Sequence, residues 1–191
     1  MDIFTAVYFA AIVAEIVIRA PHNQHRKAEK IGERRVTGQE QALLGLLFLG
    51  MFFVPVLYAA SSWLDVANYR LPSSASWLGV SLLLGAVLVF WRALLDLGLN
   101  WSPSLELREK HVLITRGIYS VIRHPMYASQ WLWVLAQPLL LHYWIAGFLD
   151  LLIFIPFYFL RVKAEEQMMV ERFGDQYRAY LHKVGAILPK F

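Results

Sequence analysis

Cysteine is absent from this chain of 191 residues, and charged residues make up only 17% of it. The absence of cysteine excludes disulfides, thiolate metal sites and a cysteine nucleophile, and it leaves the redox compartment open. Glycine pairs of the G-x-G type, which a nucleotide-binding βαβ unit needs, are also missing. Any nucleotide-like cofactor must therefore be held in another way.

Hydrophobic residues are abundant, at 58% of the chain, and they are gathered into long runs. The runs cover residues 3–18, 42–63, 75–95 and 126–160. A run of about 20 apolar residues matches the hydrocarbon thickness that a helix must cross. The last run is too long for one span, and Pro138, His142 and Tyr143 predict a break that makes it a helical hairpin. We therefore predict an all-α integral membrane protein with about five transmembrane helices.

Basic residues beside the runs predict the orientation, because cytoplasmic loops carry the excess of Lys and Arg. Six lie between the first two runs, namely Arg19, Arg26, Lys27, Lys30, Arg34 and Arg35, whereas the next loop has little beyond Arg70. This places the N-terminus outside, and residues 96–125 and the C-terminal tail in the cytoplasm. The first run follows Asp2 without a basic n-region, so we expect a retained span. The net charge of +4 comes from these flanking residues, and no nucleic-acid partner is expected.

The chain has no internal repeat and no low-complexity tract, so we predict a single membrane domain over residues 1–191. Residues 1–95 form a three-span N-terminal part. Polar, turn-rich sequence is concentrated in residues 96–191, which we expect to be the catalytic, cofactor-binding half.

A first candidate site is Arg123-His124-Pro125-Met126-Tyr127, where a polar loop enters an apolar run. Pro125 suits the first position of a helix, and it favours an extended backbone at His124, so that the imidazole projects into a loop-side cavity. An equally weighted alternative makes Arg123 and His124 anchors at the membrane interface.

A second candidate lies at the end of the last run. Arg161 and Glu165 are four residues apart and share a helix face, while Glu166 points elsewhere. Taken alone, an ordinary ion pair at the bilayer edge is the favoured interpretation, because charges cluster where helices leave lipid.

Two weaker signals lie on either side of that pair. A short apolar strip, His111-Val112-Leu113-Ile114, is followed by Tyr119 and is typical either of a backbone edge that reads an adenine or of a segment against the membrane. In the tail, Phe173, Tyr177 and Tyr180 are spaced as one helical stripe, which predicts packing over the site.

In order, Gly117-Ile-Tyr119, Arg123-His-Pro-Met-Tyr127, Arg161 with Glu165-Glu166, and Phe173-Gly-Asp-Gln-Tyr177 resemble the motif series of isoprenylcysteine carboxyl methyltransferases of the prokaryotic type. Phospholipid methyltransferases share parts of it. The resemblance covers residues 97–191. It implies a cytoplasmic-face site for S-adenosylmethionine, contacted by His111, Val112, Leu113, Ile114, Tyr119, His124 and Glu165. It also implies that Arg161 binds the methyl acceptor and that Arg161 and Glu165 are the catalytic residues. One polar cofactor contact of some members falls near Ser104 and is not carried over.

These residue types suit transfer of an activated methyl group, which needs alignment and exclusion of water more than acid–base groups. A carboxylate acceptor is ionised near neutral pH, with a pKa of about 4, and an arginine orients it by charge-assisted hydrogen bonds. An amine acceptor must first lose a proton, which a nearby arginine does not help. We therefore expect a methyltransferase acting on a hydrophobic or lipid-linked carboxylate, with no metal ion and no obligate protein partner. The alternatives are a phospholipid or thiol methyltransferase, a sterol-reductase-like oxidoreductase and a non-catalytic structural membrane protein.

Overall fold

The computed structural model describes residues 2–28, 31–34, 36–61, 67–101, 106–108 and 112–190. In chain order the elements are α1 (Ile3–Ala28), β1 (Ile31–Arg34), α2 (Gly38–Phe48), a π-helical turn (Leu49–Phe53), α3 (Val54–Ala60), α4 (Ser73–Leu97), a 3₁₀ turn (Gly98–Asn100), β2 (Glu106–Arg108), a second 3₁₀ turn (Gly117–Ser120), α5 (Pro125–Leu141), α6 (Trp144–Phe173) and α7 (Asp175–Lys183).

Four helical segments are long and apolar enough to cross a bilayer. They are Ile3–Asn23, Gly38–Ala60, Ser73–Leu97 and Trp144–Phe173. Helix α5, with 17 residues, is about 25 Å long and packs extensively against α4. The predicted all-α membrane architecture is confirmed, while the count of five spans, which depends on α5, stays a prediction.

The predicted hairpin is formed by α5 and α6, and the chain reverses at His142. This residue adopts a left-handed backbone conformation with φ of 47°. Its Nε2 lies 2.8 Å from the hydroxyl of Ser76, and its carbonyl accepts a 2.9 Å hydrogen bond from the backbone N–H of Tyr69. Pro138, which the sequence also offered as a break, lies inside α5 and does not interrupt it.

Two helices extend beyond the predicted ends of their spans. Helix α1 continues to Ala28 instead of ending at residue 18, and α6 continues to Phe173 instead of ending at residue 160. Hydropathy marks where a helix leaves lipid, whereas charged residues such as Glu, Lys and Arg are good helix formers and prolong the backbone hydrogen bonding. As a result, the polar residues after position 160 are held on one continuous helix.

A short antiparallel ribbon joins the segment after α1 to the segment after α4. It pairs β1 with β2, with Arg34 opposite Glu106. This ribbon is an addition to the predicted all-helical fold, and it brings together two segments that topology prediction places on the same face of the membrane.

Aromatic, aliphatic and small side chains from α1, α4, α5, α6 and the turn between α5 and α6 pack into the central core. Its buried members are Tyr8, Ile12, Leu83, Ala86, Trp133, Ala136, Leu140, Leu141, Tyr143 and Ala146. Large apolar side chains such as Leu88, Leu152 and Phe159 face outward and are exposed. An apolar exterior around an apolar core suits a lipid environment.

Candidate active site

A cavity of about 370 Å³ lies between the C-terminal halves of α1, α2 and α4, the N-terminal half of α5 and the middle and C-terminal part of α6. This volume falls in the range of small-molecule sites, which run from about 300 to 1,000 Å³. All predicted site residues that the structure describes line this one cavity: Val112, Leu113, Ile114, Tyr119, His124, Arg161 and Glu165. His111 lies outside the described residues, as does Ser104.

His124 stands at the entrance to α5, as its N-cap residue, with φ of −122°. It is 5% exposed, and its Nε2 lies 3.0 Å from Oε1 of Glu166. The same oxygen accepts a 2.9 Å hydrogen bond from Arg123. Because His124 is buried against a carboxylate, the interpretation as a membrane-interface anchor is wrong for this residue. The side chain of Glu166 points away from Glu165, as predicted, and contacts Arg123 and His124.

The tail after α7 fixes this motif from the other side. The backbone N–H groups of Arg123 and His124 donate hydrogen bonds of 2.8 and 2.9 Å to the carbonyls of Gly185 and Ala186. Ile122 and Gly185 form an isolated parallel bridge. The motif is therefore held between α6 and a strand-like segment of the tail.

Arg161 and Glu165 both face the cavity, and Tyr127 stands between them. The Tyr127 hydroxyl donates a 2.7 Å hydrogen bond to Oε2 of Glu165 and is hydrogen-bonded to Arg161. The Arg161 guanidinium forms an ion pair with Oε1 of Glu40 and lies 5.8 Å from the ring centre of Phe157. Both side chains of the Arg161–Glu40 pair are almost fully buried, at 7% and 6% exposure. The prediction of an ordinary ion pair at the bilayer edge is therefore wrong for Arg161.

Tyr119 and Tyr180 close the cavity on the side of the tail. The Tyr180 hydroxyl donates to the Tyr119 carbonyl. Burial, followed by the charge of Glu165, holds the pKa of Tyr119 above its ordinary value. Burial likewise raises the pKa of Tyr180 to about 12, although the positive charge of Arg123 opposes this shift.

The predicted aromatic stripe in the tail is interrupted. Gly174 has φ of 56° and ends α6, so Phe173 belongs to α6 while Tyr177 and Tyr180 belong to α7. Glycine readily adopts a positive φ and can therefore end a helix. The spacing of the aromatic residues does not indicate such an end. Tyr177 and Tyr180 are nevertheless buried and line the cavity, as the packing prediction required.

One wall of the cavity is apolar and faces the membrane-spanning region. It is lined by Leu44, Leu47, Phe48, Met51, Phe154 and Phe157, from the second span and α6. Arg161 follows Phe157 by one helical turn, so its charge lies at the end of this apolar wall. The cavity thus combines a polar, tyrosine-rich part with an apolar part, and Arg161 lies between them.

Comparison with known proteins indicates, for the central part of the chain, the same family as the sequence motifs. Residues 77–171 match the model of the isoprenylcysteine carboxyl methyltransferase (ICMT) family. The matched region contains the motifs at residues 117–127 and 161–166 and covers about half of the chain. The resemblance inferred from the motifs is confirmed at this level, whereas the prokaryotic type stays a prediction.

Several curated relatives of the ICMT family are named protein-S-isoprenylcysteine O-methyltransferase. The one from Schizosaccharomyces pombe is 37% identical over 79 residues, which cover 41% of this chain and 34% of the relative. The one from Homo sapiens is 30% identical over 142 residues, which cover 69% of this chain and 49% of the relative. The matches thus extend over a third to a half of these relatives.

A solved structure of the eukaryotic intramembrane Ras methyltransferase ICMT superposes with a TM-score of 0.52 at 25% sequence identity. The match covers 81% of this chain and 54% of the solved one. This agreement supports the helical membrane fold that composition predicts.

Two residues that line the cavity, Arg19 and Tyr127, and one that contacts its lining through Arg161, Glu40, are not predicted as site residues by the motifs. Glu40 and Arg19 lie outside the ICMT family match, and Tyr127 lies inside a motif but received no role. In the sequence, Arg19 indicates only the membrane topology; in the structure, its guanidinium lies 4.7 Å from the ring centre of Phe90. Charged residues bordering an apolar run were the available signal for Glu40 and Arg19.

Proposed function

We propose that the chain is an S-adenosylmethionine-dependent methyltransferase that methylates the carboxylate of a hydrophobic, lipid-linked acceptor of the isoprenylcysteine type. The observation that carries this proposal is the position of Arg161. It lies at the junction between a polar cavity that contains Glu165 and an apolar wall that leads toward the bilayer. The match of residues 77–171 to the ICMT family model supports the same activity.

The polar part of the cavity suits the cofactor. Val112, Leu113 and Ile114 offer apolar side chains and backbone groups, and the backbone N–H of Val112 is held by a 3.0 Å hydrogen bond to the side chain of Asn100. Tyr119 contributes a buried aromatic ring. A carboxylate, Glu165, and several tyrosines are an appropriate environment for a cationic ligand. We extend this cofactor set to His111 on the resemblance alone.

When bound, S-adenosylmethionine supplies a methyl group that is activated by its attachment to a sulfonium sulfur. Transfer of this group requires no proton transfer. The side chains therefore have to align the acceptor and exclude water. Tyr127 orients Glu165 by its hydrogen bond, and Glu166 orients His124. Contacts with Tyr127, Glu40 and Phe157 fix the orientation of the Arg161 guanidinium. Arg161 thus presents fixed donors to an acceptor carboxylate.

The apolar wall supports a lipid-like acceptor. Its side chains bind a hydrocarbon group through burial of apolar surface, which contributes about 25 cal/mol for each Å² removed from water. Arg161 would then receive the acceptor's head group at the end of that wall. An acceptor of this kind enters sideways between helices, while the cofactor enters from the aqueous face.

The topology completes the proposal. We propose a multi-pass membrane protein with its N-terminus outside and its cavity and C-terminus in the cytoplasm, as the positive residues predict. We also propose that residues 96–191 form the cofactor-binding half. The acceptor wall is shared, because Leu44, Leu47 and Met51 come from the N-terminal part.

The decisive experiment is calorimetric titration of detergent-purified protein with S-adenosylmethionine and S-adenosylhomocysteine. We expect binding in the micromolar range, which Glu165→Ala abolishes and Glu171→Gln leaves unchanged. Glu171 is an exposed carboxylate on the same helix and serves as the matched control. Well-folded protein that binds neither compound would contradict the proposal and favour the reductase or the structural alternative.

A second measurement identifies the acceptor. Transfer of a labelled methyl group is followed to S-farnesyl-N-acetylcysteine, to phosphatidylethanolamine and to a long-chain thiol. We expect methylation of the first compound only. Methylation of the phospholipid or the thiol instead would retain the cofactor and overturn the acceptor class.

A further inference from the structure

Glu40 is a buried carboxylate that reaches the candidate active site from a part of the chain outside the family match. It lies in the first turn of α2, and its ion pair with Arg161 joins residues 121 positions apart. Both partners are almost fully buried. A buried charge is retained at considerable cost unless it is paired, so this contact is a specific feature of the site.

The backbone around Glu40 is fixed by its helix cap. Thr37 is the N-cap residue of α2, and its hydroxyl oxygen accepts a 3.1 Å hydrogen bond from the backbone N–H of Glu40. The pattern Thr37-x-x-Glu40 is that of a capping box, in which the glutamate normally serves its own helix end. Here the carboxylate Oε1 accepts from Arg161 on α6, so the capped end of α2 presents it across the helix interface.

The placement of Glu40 relates it to the acceptor wall. Leu44, Leu47 and Met51 follow it at the spacing of one helix face, and all three line the apolar part of the cavity. Arg161 lines the same cavity. The anion therefore lies at the end of the wall along which we propose the acceptor's hydrocarbon group to bind.

We propose that Glu40 is a positioning and specificity-determining residue for the acceptor. It holds the Arg161 guanidinium and cancels its net charge, so that the acceptor carboxylate is oriented by hydrogen bonds without being strongly stabilised as an anion. This inference rests on the proposed function, because it assigns the acceptor to the Arg161 side of the cavity.

The physical reason is the loss of charge during the reaction. The acceptor carboxylate is negative, and its oxygen would form the new bond to the methyl carbon while the bond from that carbon to the donor's sulfur breaks. The sulfur would keep the electron pair of the broken bond, and the ester that results is neutral. A site that favours the anion more than the transition state lowers KM and also lowers kcat. A buried arginine without a negative partner would stabilise the anion in this way. An arginine whose charge is balanced by Glu40 orients the carboxylate and leaves its oxygen reactive. Compensation also favours release of the neutral ester.

The test compares three ligands with one skeleton, S-farnesyl-N-acetylcysteine as the acid, the carboxamide and the methyl ester. Their dissociation constants are measured by competition in detergent-purified protein without cofactor. In the wild type, we expect the acid and the carboxamide to agree within about threefold. Two unit charges at an effective dielectric constant near 20 interact strongly enough to change a dissociation constant by tenfold or more. Glu40→Gln should therefore tighten binding of the acid about tenfold and change the carboxamide and ester less than about twofold.

Kinetics and controls separate a charge effect from a change of shape. Glu40→Gln should lower KM and kcat for the acid together, whereas Glu40→Asp, which keeps the charge, should retain the wild-type ratio of acid to carboxamide affinity. Glu171→Gln, which removes an exposed carboxylate of the same helix as Arg161, should leave all three constants unchanged. Binding of S-adenosylhomocysteine serves as the check on folding.

Two results would overturn the inference. The first is an equal change in all three dissociation constants on Glu40→Gln, since this would mean that Glu40 acts through shape alone. The second is a wild type that binds the acid more than tenfold tighter than the carboxamide, a comparison that decides the question even if Glu40→Gln does not fold. Failure of the wild type to methylate the acid would instead contradict the proposed function.

Discussion

The hydroxyl of Tyr180 lies 2.5 Å from the backbone carbonyl of Tyr119 and donates a hydrogen bond to it. The contact ties the tail helix α7 to the short turn that precedes α5, across 61 positions of the sequence. Both tyrosines are buried and line the cavity. We therefore expect Tyr180 to influence the predicted cofactor site through the backbone of Tyr119.

Removing this hydroxyl tests the link, and the chain provides a matched control. Tyr69 donates an equivalent hydrogen bond to the carbonyl of Pro138, near the hairpin turn of α5 and α6. We expect Tyr180→Phe and Tyr69→Phe each to lower the free energy of unfolding by about 1 kcal/mol. Only Tyr180→Phe should also weaken S-adenosylhomocysteine binding, by about three- to tenfold, in calorimetric titration. Equal affinities of the two variants for S-adenosylhomocysteine would mean that α7 does not contribute to cofactor binding.

Stability should decrease in alkaline solution because of the same tyrosines. Burial raises the pKa values of Tyr180 and Tyr69 to about 12 in the folded protein, above the ordinary tyrosine value of about 10. A group whose pKa is raised by folding contributes stability that is complete below the unfolded pKa. That contribution is lost as the pH rises from about 10 through about 12. Thermal unfolding followed between pH 8 and 12 should show this loss, and it should be smaller in the double Phe variant; an identical pH dependence would contradict the assignment.

Arg161 should be required for turnover and dispensable for the cofactor. Arg161→Ala and Arg161→Lys are expected to bind S-adenosylmethionine with wild-type affinity and to lose at least about tenfold in kcat/KM for the acceptor. The lysine variant fails because a point charge does not reproduce the planar donors of a guanidinium. Titration and methyl transfer, measured on the same preparations, decide the matter. Loss of cofactor binding in either variant would show that the division of roles between Arg161 and Glu165 is wrong.

Much of this site could be predicted because its residues occur in short motifs with helical spacing. Arg161 and Glu165 share a face of one helix, and the proline of the Arg123–Tyr127 motif marks the start of another. Apolar runs located the spans in the same way. The common cavity of these residues follows from the ends of helices meeting at one face.

The partners of those residues could not be predicted, since they depend on contacts between helices. Glu40 lies in a plausible capping box, and nothing local indicates that its side chain crosses to α6. Likewise, Gly174 fits the helical spacing of the tail in sequence but adopts a positive φ that ends α6. For Glu40 a contact between helices determined the outcome, whereas for Gly174 the cause is local, because glycine readily adopts a positive φ and ends helices.

The tail segment after α7 should be sensitive to a single methyl group. A Cβ atom at Gly185 would lie 1.9 Å from the carbonyl oxygen of Leu188, so Gly185→Ala must displace the segment that pairs with the motif at residues 123–124. We expect a lower melting temperature and weaker S-adenosylhomocysteine binding. Gly45→Ala is the control, because no atom lies within 4 Å of its added Cβ. Unchanged binding in Gly185→Ala would mean that the tail does not support His124.

The pairing of Gly185 and Ala186 with Arg123 and His124 also orders events during biosynthesis. A ribosome adds these two residues only after α6 and α7 have been made. The backbone of residues 123 and 124 therefore acquires these hydrogen-bond acceptors only after the last span has been synthesised. A chain truncated before position 185 would lack both acceptors, and we expect it to bind S-adenosylhomocysteine more weakly than the full chain.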